Sequence, residues 1–239
     1  MSTQDRRRIL PPSNAKPLVF SQVQTNDKTK DQSSKTNTDI STQVSQTFLK
    51  TGLITSANGS SFLECQGNII NVSIYGPRPT RGSFVEKTTI DVQIDDNTKE
   101  LTTLMNKKLA GFVENVFSGV VCLEKYPKSG ISIFINLLGI NDLKNNGLMI
   151  LSLICQAVTL ALIDSGIEVI DIVSSTFDQQ SNTVGCFIKQ GEIVGILSDS
   201  NLIFENSQDF KNILNRLDQQ SKVVKNSIVQ FLIQQQQQK

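Results

Sequence analysis

Apolar and polar positions alternate with period two through residues 61–66 and 69–75, and again from Ser83 to Ile94 through Phe84, Val85, Ile90, Val92 and Ile94. Alternation of this kind sends every second side chain to one face of a strand. Phe48–Thr55 reads as a strand ahead of these, with a turn at Asn58-Gly59 and a second break at Gly67-Asn68. Asn-Gly between apolar runs is the strongest short-range hairpin signal. The pattern predicts four consecutive short strands, an antiparallel meander.

The period then changes. Leu101, Leu104, Met105, Lys108, Phe112, Val113, Val116, Phe117 and Val120 fall three and four apart, which is one face of a helix. Gly130 precedes an apolar strand, Ile131–Leu138, and a polar loop from Gly139 to Asn146 leads into Leu148–Ile163. The polar residues of that last run, Ser152, Gln156 and Thr159, share one narrow stripe, so the helix is buried nearly all round. Gly166 suits the position just past its end. Three strands follow at Glu168–Val173, Thr183–Lys189 and Glu192–Leu197, the last two joined by a tight turn at Gln190-Gly191. A final amphipathic helix carries Phe210, Ile213, Leu214, Leu217, Val224, Ile228 and Phe231. Strands, helix, strand, helix, strands, helix is an α+β order, not a doubly wound nucleotide-binding one.

With 239 residues the chain has room for one domain, two at most. Its 38% hydrophobic and 19% charged residues are low for a globular protein, and two segments account for the dilution. From Ser21 to Gln46 nearly every residue is Ser, Thr, Gln, Asn, Asp or Lys, too polar to offset the entropy of ordering. Gln234–Gln238 is a homopolymer. The expected organisation is a largely flexible segment over residues 1–47, a single domain over 48–233 and a poly-Gln tail over 234–239. No apolar run follows the N-terminal Arg6-Arg7-Arg8, and Leu148–Ile163 is too short and interrupted for a membrane span, so a soluble intracellular protein is expected. Cys65, Cys122, Cys155 and Cys186 each lie in apolar runs and match no metal knuckle, as buried reduced thiols in a reducing compartment would.

Chemistry is sparse. There is no His and no Trp, which removes imidazole bases, histidine triads and His-containing zinc sites. No Walker A loop and no GxGxxG after a strand is present, and no cofactor is expected. Asp95-Asp96 reads as a turn former or N-cap, Asp164 as a helix end, Asp171 as a strand residue, and the stretch from Gly130 to Asn146 offers only Asp142. A net charge of +1 rules out a basic surface overall, so any nucleic-acid contact must be local. Gly76-Pro77-Arg78-Pro79-Thr80-Arg81-Gly82 places two arginines on a stiff loop at a strand end, where guanidinium groups suit either phosphate oxygens or a carboxylate across an interface. Weaker candidates are Arg6, Arg7 and Arg8 on the N-terminal segment, and Lys107 and Lys108 on the first helix, Lys108 with its stem on the apolar face.

Three stretches together carry a family resemblance. Gly52–Gly76, with Ala57-Asn58-Gly59-Ser60-Ser61 and then Gly76-Pro77-Arg78, resembles the opening strands of the RNase PH fold. Tyr126-Pro127-Lys128-Ser129-Gly130-Ile131 and Ala157-Val-Thr-Leu-Ala-Leu-Ile-Asp-Ser-Gly-Ile167 resemble its next strand start and its central helix. Within that family, Gln4-Asp-Arg-Arg-Arg8 and Gly76-Pro-Arg-x-x-Arg-Gly-Ser-Phe84 are similar to ring subunits of the eukaryotic RNA exosome. The resemblance implies a hetero-hexameric ring of RNase PH-like chains, OB-fold cap subunits above it, RNA in a central channel, no membrane, and residence in nucleus, nucleolus and cytoplasm.

The departures point the other way on activity. Active members carry Asp-Gly-Gly soon after the strand matching Ile131–Leu138, whereas here the chain reads Leu138-Gly-Ile-Asn-Asp142-Leu-Lys-Asn-Asn146. Where they carry several later carboxylates, Ser174–Asn182 has only Asp178, and the Gly-Asn-Thr turn has become Gly67-Asn68-Ile69. Without those oxygens a magnesium-assisted phosphorolytic centre is not expected to assemble. The implied role is a non-catalytic, channel-forming subunit, with Arg78 and Arg81 against RNA. The alternatives are an active 3′–5′ phosphorolytic exoribonuclease that borrows carboxylates from a partner, and an unrelated adaptor with a similar pattern.

Overall fold

The computed structural model describes residues 47–81, 85–141, 143–198 and 207–238. Strands β1 (Thr47–Thr51), β2 (Gly59–Cys65), β3 (Asn68–Pro79) and β4 (Thr89–Asp96) are followed by helix α1 (Thr103–Ser118), strand β5 (Ser129–Gly139) and helix α2 (Leu143–Ser165). Strands β6 (Ser174–Asp178), β7 (Thr183–Phe187) and β8 (Ile193–Ser198) and helix α3 (Ser207–Gln238) complete the order. The α+β expectation holds. One sheet has the order β1-β2-β3-β5-β4, the other β6-β7-β8.

Only the first three strands form the predicted meander. β4 is not paired with β3; it lies at the far edge, parallel to β5 from Thr89↔Gly130 to Asp96↔Leu137. The reason is α1, which follows β4 and precedes β5. A strand that returns through a helix comes back parallel, and β5 then takes the free side of β3, antiparallel from Ile69↔Gly139 to Pro79↔Ser129. The β2–β3 turn is Gln66-Gly67, whose φ values of 51° and 81° are both positive as a type I′ hairpin requires. Asn58-Gly59 does not form such a turn. Gly59 begins β2, and a Cβ there would lie 2.4 Å from both the Ala161 carbonyl oxygen and the Ser165 nitrogen of α2. Packing, not turn geometry, requires that glycine.

Period-two burial sends Ile70, Val72 and Ile74 of β3, Ile131, Ile133, Ile135 and Leu137 of β5, and Ile90, Val92 and Ile94 of β4 into one core against α1 and α2. The opposite side of α2 meets β6 and β7. All of β7 is buried, because Val184 and Cys186 join that core while Phe187 forms a second small one with Ile213 and Leu217 of α3. The layers are thus the five-stranded sheet, α1 with α2, the three-stranded sheet, and α3. Among the described residues no element crosses the outer face of the five-stranded sheet.

Several boundaries differ from the sequence pattern. α2 starts at Leu143, inside the expected loop, and ends before Gly166 at φ +70°. Its Gly147–Ser165 stretch is therefore long and apolar enough to cross a membrane, but 72% of it is buried in the fold. Glu168–Val173 is not a strand; Val169 makes a single bridge to Val121, and Ile170 is 50% exposed. The strand begins at Ser174, where buried hydroxyls find partners: Ser174 Oγ donates to the Phe187 carbonyl and Thr176 Oγ1 to that of Leu217. Leu104 points out of α1 at 66% exposure. α3 runs on through the glutamines to Gln238, and Gln235 donates to Thr51. Cys65, Cys155 and Cys186 are buried as expected, while Cys122 is only partly so. The Cys155 thiol, hydrogen-bonded to Cys186 and enclosed, is pushed well above its ordinary pKa.

Candidate functional site

β3 does not stop at Tyr75. It continues through Gly76-Pro77, so Arg78 lies within the strand and not on a loop beyond it. Tyr75 pairs with Ser132 and Arg78 with Gly130, three steps on β3 against two on β5. The extra residue makes a β-bulge. Residues directly opposed across a ladder share a face, so the bulge turns Arg78 to the same outer face as Tyr75; unbroken alternation would aim it at the core. The Arg78 guanidinium carbon stands 5.0 Å from the Tyr75 ring centroid, and that ring meets Phe134 edge-on at 5.6 Å. A cation over a half-buried ring at the solvent-facing side of a sheet contributes about 0.5–1 kcal/mol, enough to favour one arginine orientation. Gly76 has φ +137°, and a Cβ there would come 2.7 Å from the Gly130 carbonyl oxygen. No other residue fits the bulge.

Tyr75, Arg78, Phe134, Ser132, Asn136 and Asp95 line a shallow depression of about 520 Å³ on this face. Among the described residues neither Arg78 nor Arg81 is in a salt bridge, and both are exposed. Arg81 follows the strand, so the two arginines do not leave one loop as a pair. Lys107 and Lys108 are exposed on α1, whose buried residues Leu109, Val113, Val116 and Phe117 face the sheet from its other side. Leu104, one turn before Lys108, is exposed as well. The sheet separates both lysines from Arg78. Arg6, Arg7 and Arg8 lie outside the described residues, as do Gly82, Ser83, Phe84 and Asp142.

Asp178, Asp96, Asp164 and Asp171 are engaged within the fold, whereas Asp95 lines the depression beside Arg78. Asp178 is 5% exposed on β6; Arg216 Nη2 of α3 stands 3.1 Å from its Oδ2, and Ser181 Oγ donates to the same oxygen at 2.6 Å. Asp96 accepts from the backbone N–H groups of Thr98 and Leu101, each at 2.8 Å, and from the Thr98 hydroxyl. Burial works to raise its pKa, but those hydrogen bonds outweigh it and the carboxyl sits below its ordinary value. The N-cap of α1 is Thr102, not an aspartate. Asp164 accepts the Ser60 N–H at 2.9 Å, and Asp171, outside any strand, pairs with Lys225. Among the described residues no group of three or more His, Cys, Asp or Glu side chains converges as a metal site. Magnesium, which the fold family implies, does not fit the donors around Asp178, where a guanidinium already stands beside the carboxylate. The sequence reading missed the Arg216 partner, because α3 is distant in the chain, and the bulge, which no local pattern announces.

A mixed five-stranded sheet over two helices and a smaller sheet fits the RNase PH-like fold that the sequence resemblance implies. Residues 43–168, more than half of the chain, match the model of the 3′ exoribonuclease family, domain 1, and the chain belongs to that family. It is 25% identical over 134 residues to the RRP41-like exosome complex component of Arabidopsis thaliana, covering 54% of this chain and 50% of the relative. It is 24% identical over 181 residues to the exosome complex component mtr3 of Schizosaccharomyces pombe, covering 72% of this chain and 66% of the relative. The chain thus spans about half to two thirds of these relatives. In structure it is similar to rice (Oryza sativa) Rrp46, with a TM-score of 0.66 at 14% identity over 80% of this chain and 95% of that one, a likeness of fold.

Proposed function

We propose that this chain is a non-catalytic ring subunit of the RNA exosome, most like the fungal mRNA transport regulator. In this reading it joins other RNase PH-like chains and OB-fold caps around an RNA channel, in nucleus, nucleolus and cytoplasm. Arg78 contacts RNA phosphates there, with Arg81 as the second candidate. Family membership and the similarity to exosome components support the ring. One observation carries the non-catalytic part: Asp178, the single carboxylate between Ser174 and Asn182, is buried against Arg216. A carboxylate so engaged is a poor magnesium ligand, since coordination would displace the guanidinium and leave it beside a dication.

Phosphate contacts by arginine give salt-dependent, sequence-independent affinity, with a slope that falls by about one when one contact is removed. The test is a reconstituted ring incubated with RNA, phosphate and magnesium. Nucleoside diphosphate release is expected to be unchanged by Asp178→Asn and Asp142→Asn, while Arg78→Ala weakens RNA binding. Release abolished by either aspartate substitution in an intact ring would show that this chain works as a phosphorolytic enzyme.

A further inference from the structure

We infer that Asn58 is a positioning residue that holds Arg78 in its RNA-binding orientation, an inference resting on the reading of Arg78 as a phosphate contact. The register carries the argument. β2 begins at Gly59, opposite Ile74, so β3 from Tyr75 onward has outrun its neighbour on that side. The N–H of Gly76, a buried residue, has no strand residue there to receive it, and an unmet buried donor costs as much as a lost hydrogen bond. Asn58 supplies the missing acceptor: its Oδ1 takes the Gly76 N–H at 3.0 Å.

Asn58 is itself pinned. Its own N–H donates to the Ile74 carbonyl at 2.9 Å, and the next residue, Gly59, is pressed against the backbone of α2. A continuous path of backbone and one side chain therefore runs from the central helix, through Gly59 and Asn58, to the bulge. The bulge sets which face Arg78 occupies. With the acceptor gone, the Gly76 N–H gains by sliding to another partner, and any slip of one residue turns Arg78 away from Tyr75. Asn58 touches no ligand in this scheme; it acts on Arg78 through the backbone of Gly76.

The experiment compares Asn58→Ala, Asn58→Asp, Arg78→Ala and the Asn58→Ala/Arg78→Ala double variant in the reconstituted ring, titrated with single-stranded oligouridine over a range of salt. Arg78→Ala and Asn58→Ala are each expected to weaken binding about tenfold and to lower the salt slope by about one, with no further loss in the double variant. Asn58→Asp keeps the acceptor and is expected to keep the wild-type slope, although its added charge lowers affinity. In parallel, the Arg78 side-chain resonance of the full chain, shifted by the Tyr75 ring, is expected to move to its unstacked position in Asn58→Ala. If Arg78→Ala leaves the slope unchanged, the phosphate reading fails, and the resonance alone judges Asn58. An Arg78 resonance unmoved by Asn58→Ala, or a wild-type slope in Asn58→Ala where Arg78→Ala has lost one contact, overturns the inference.

Discussion

Replacing Arg216 by Ala strips Asp178 of its cation. The aspartate side chain is 7% exposed and the arginine 42%, so the pair is neither a surface ion pair nor a fully enclosed one. Exposed pairs are worth about 0–1 kcal/mol, and breaking a buried one costs about 3–5 kcal/mol. Ser181 still donates to the carboxylate at 2.6 Å and softens the loss. The middle of these bounds is about 2 kcal/mol, which lowers the Tm of a domain of this size by about 4–8 °C. Thermal and urea unfolding of the full chain, followed by far-UV circular dichroism because the chain has no Trp, reads the change directly. Adding Asp178→Asn to Arg216→Ala removes the stranded charge and is expected to recover about 1 kcal/mol. The reasoning is refuted if Arg216→Ala is neutral within about 0.5 kcal/mol, or if the double variant is no more stable than the single. Either outcome would free Asp178 from its structural role and reopen it as a metal ligand.

Gly59→Ala is expected to destabilise by about 3 kcal/mol, since its methyl meets helix backbone and not a flexible side chain; Gly111→Ala in α1, where a Cβ meets nothing within 4 Å, is expected to stabilise by about 0.5–1 kcal/mol. Calorimetry of the two checks the sign. Asp96→Asn is expected to cost about 1 kcal/mol at neutral pH. Because the folded carboxyl lies below its ordinary value of 3.8, that contribution is complete above about pH 4–5 and disappears as the pH falls through the folded pKa. An Asp96→Asn penalty that persists once the folded carboxyl has itself been protonated counts against the turn-capping account.

Strands with one buried face wrote themselves into the sequence. Ile70, Val72 and Ile74, and likewise Ile131, Ile133 and Ile135, alternate because a single sheet face is enclosed. α2 was legible for the opposite reason, apolar nearly all round because sheets cover two sides of it. What stayed hidden was decided by distant partners. The place of β4 depends on where α1 returns the chain. β6 reads as polar because Ser174 is satisfied by the carbonyl of Phe187 on the next strand and Thr176 by that of Leu217, 41 residues on in α3. Arg78 could be picked as a phosphate candidate from its Gly-Pro setting, but its orientation follows from one extra residue in a ladder, which periodicity cannot register. The lysines of α1, weaker candidates from the sequence, are exposed on a helix whose buried face packs on the other side of the sheet.

The hydrogen bond from Gln235 to Thr51 joins the last turns of α3 to the end of the edge strand β1. First strand and final helix of the described fold therefore arrive at a common corner. Loss of that bond in Gln235→Ala is expected to quicken amide exchange at Gly52, whose N–H donates to the Ser60 carbonyl at the same turn, while the β1–β2 ladder keeps its protection.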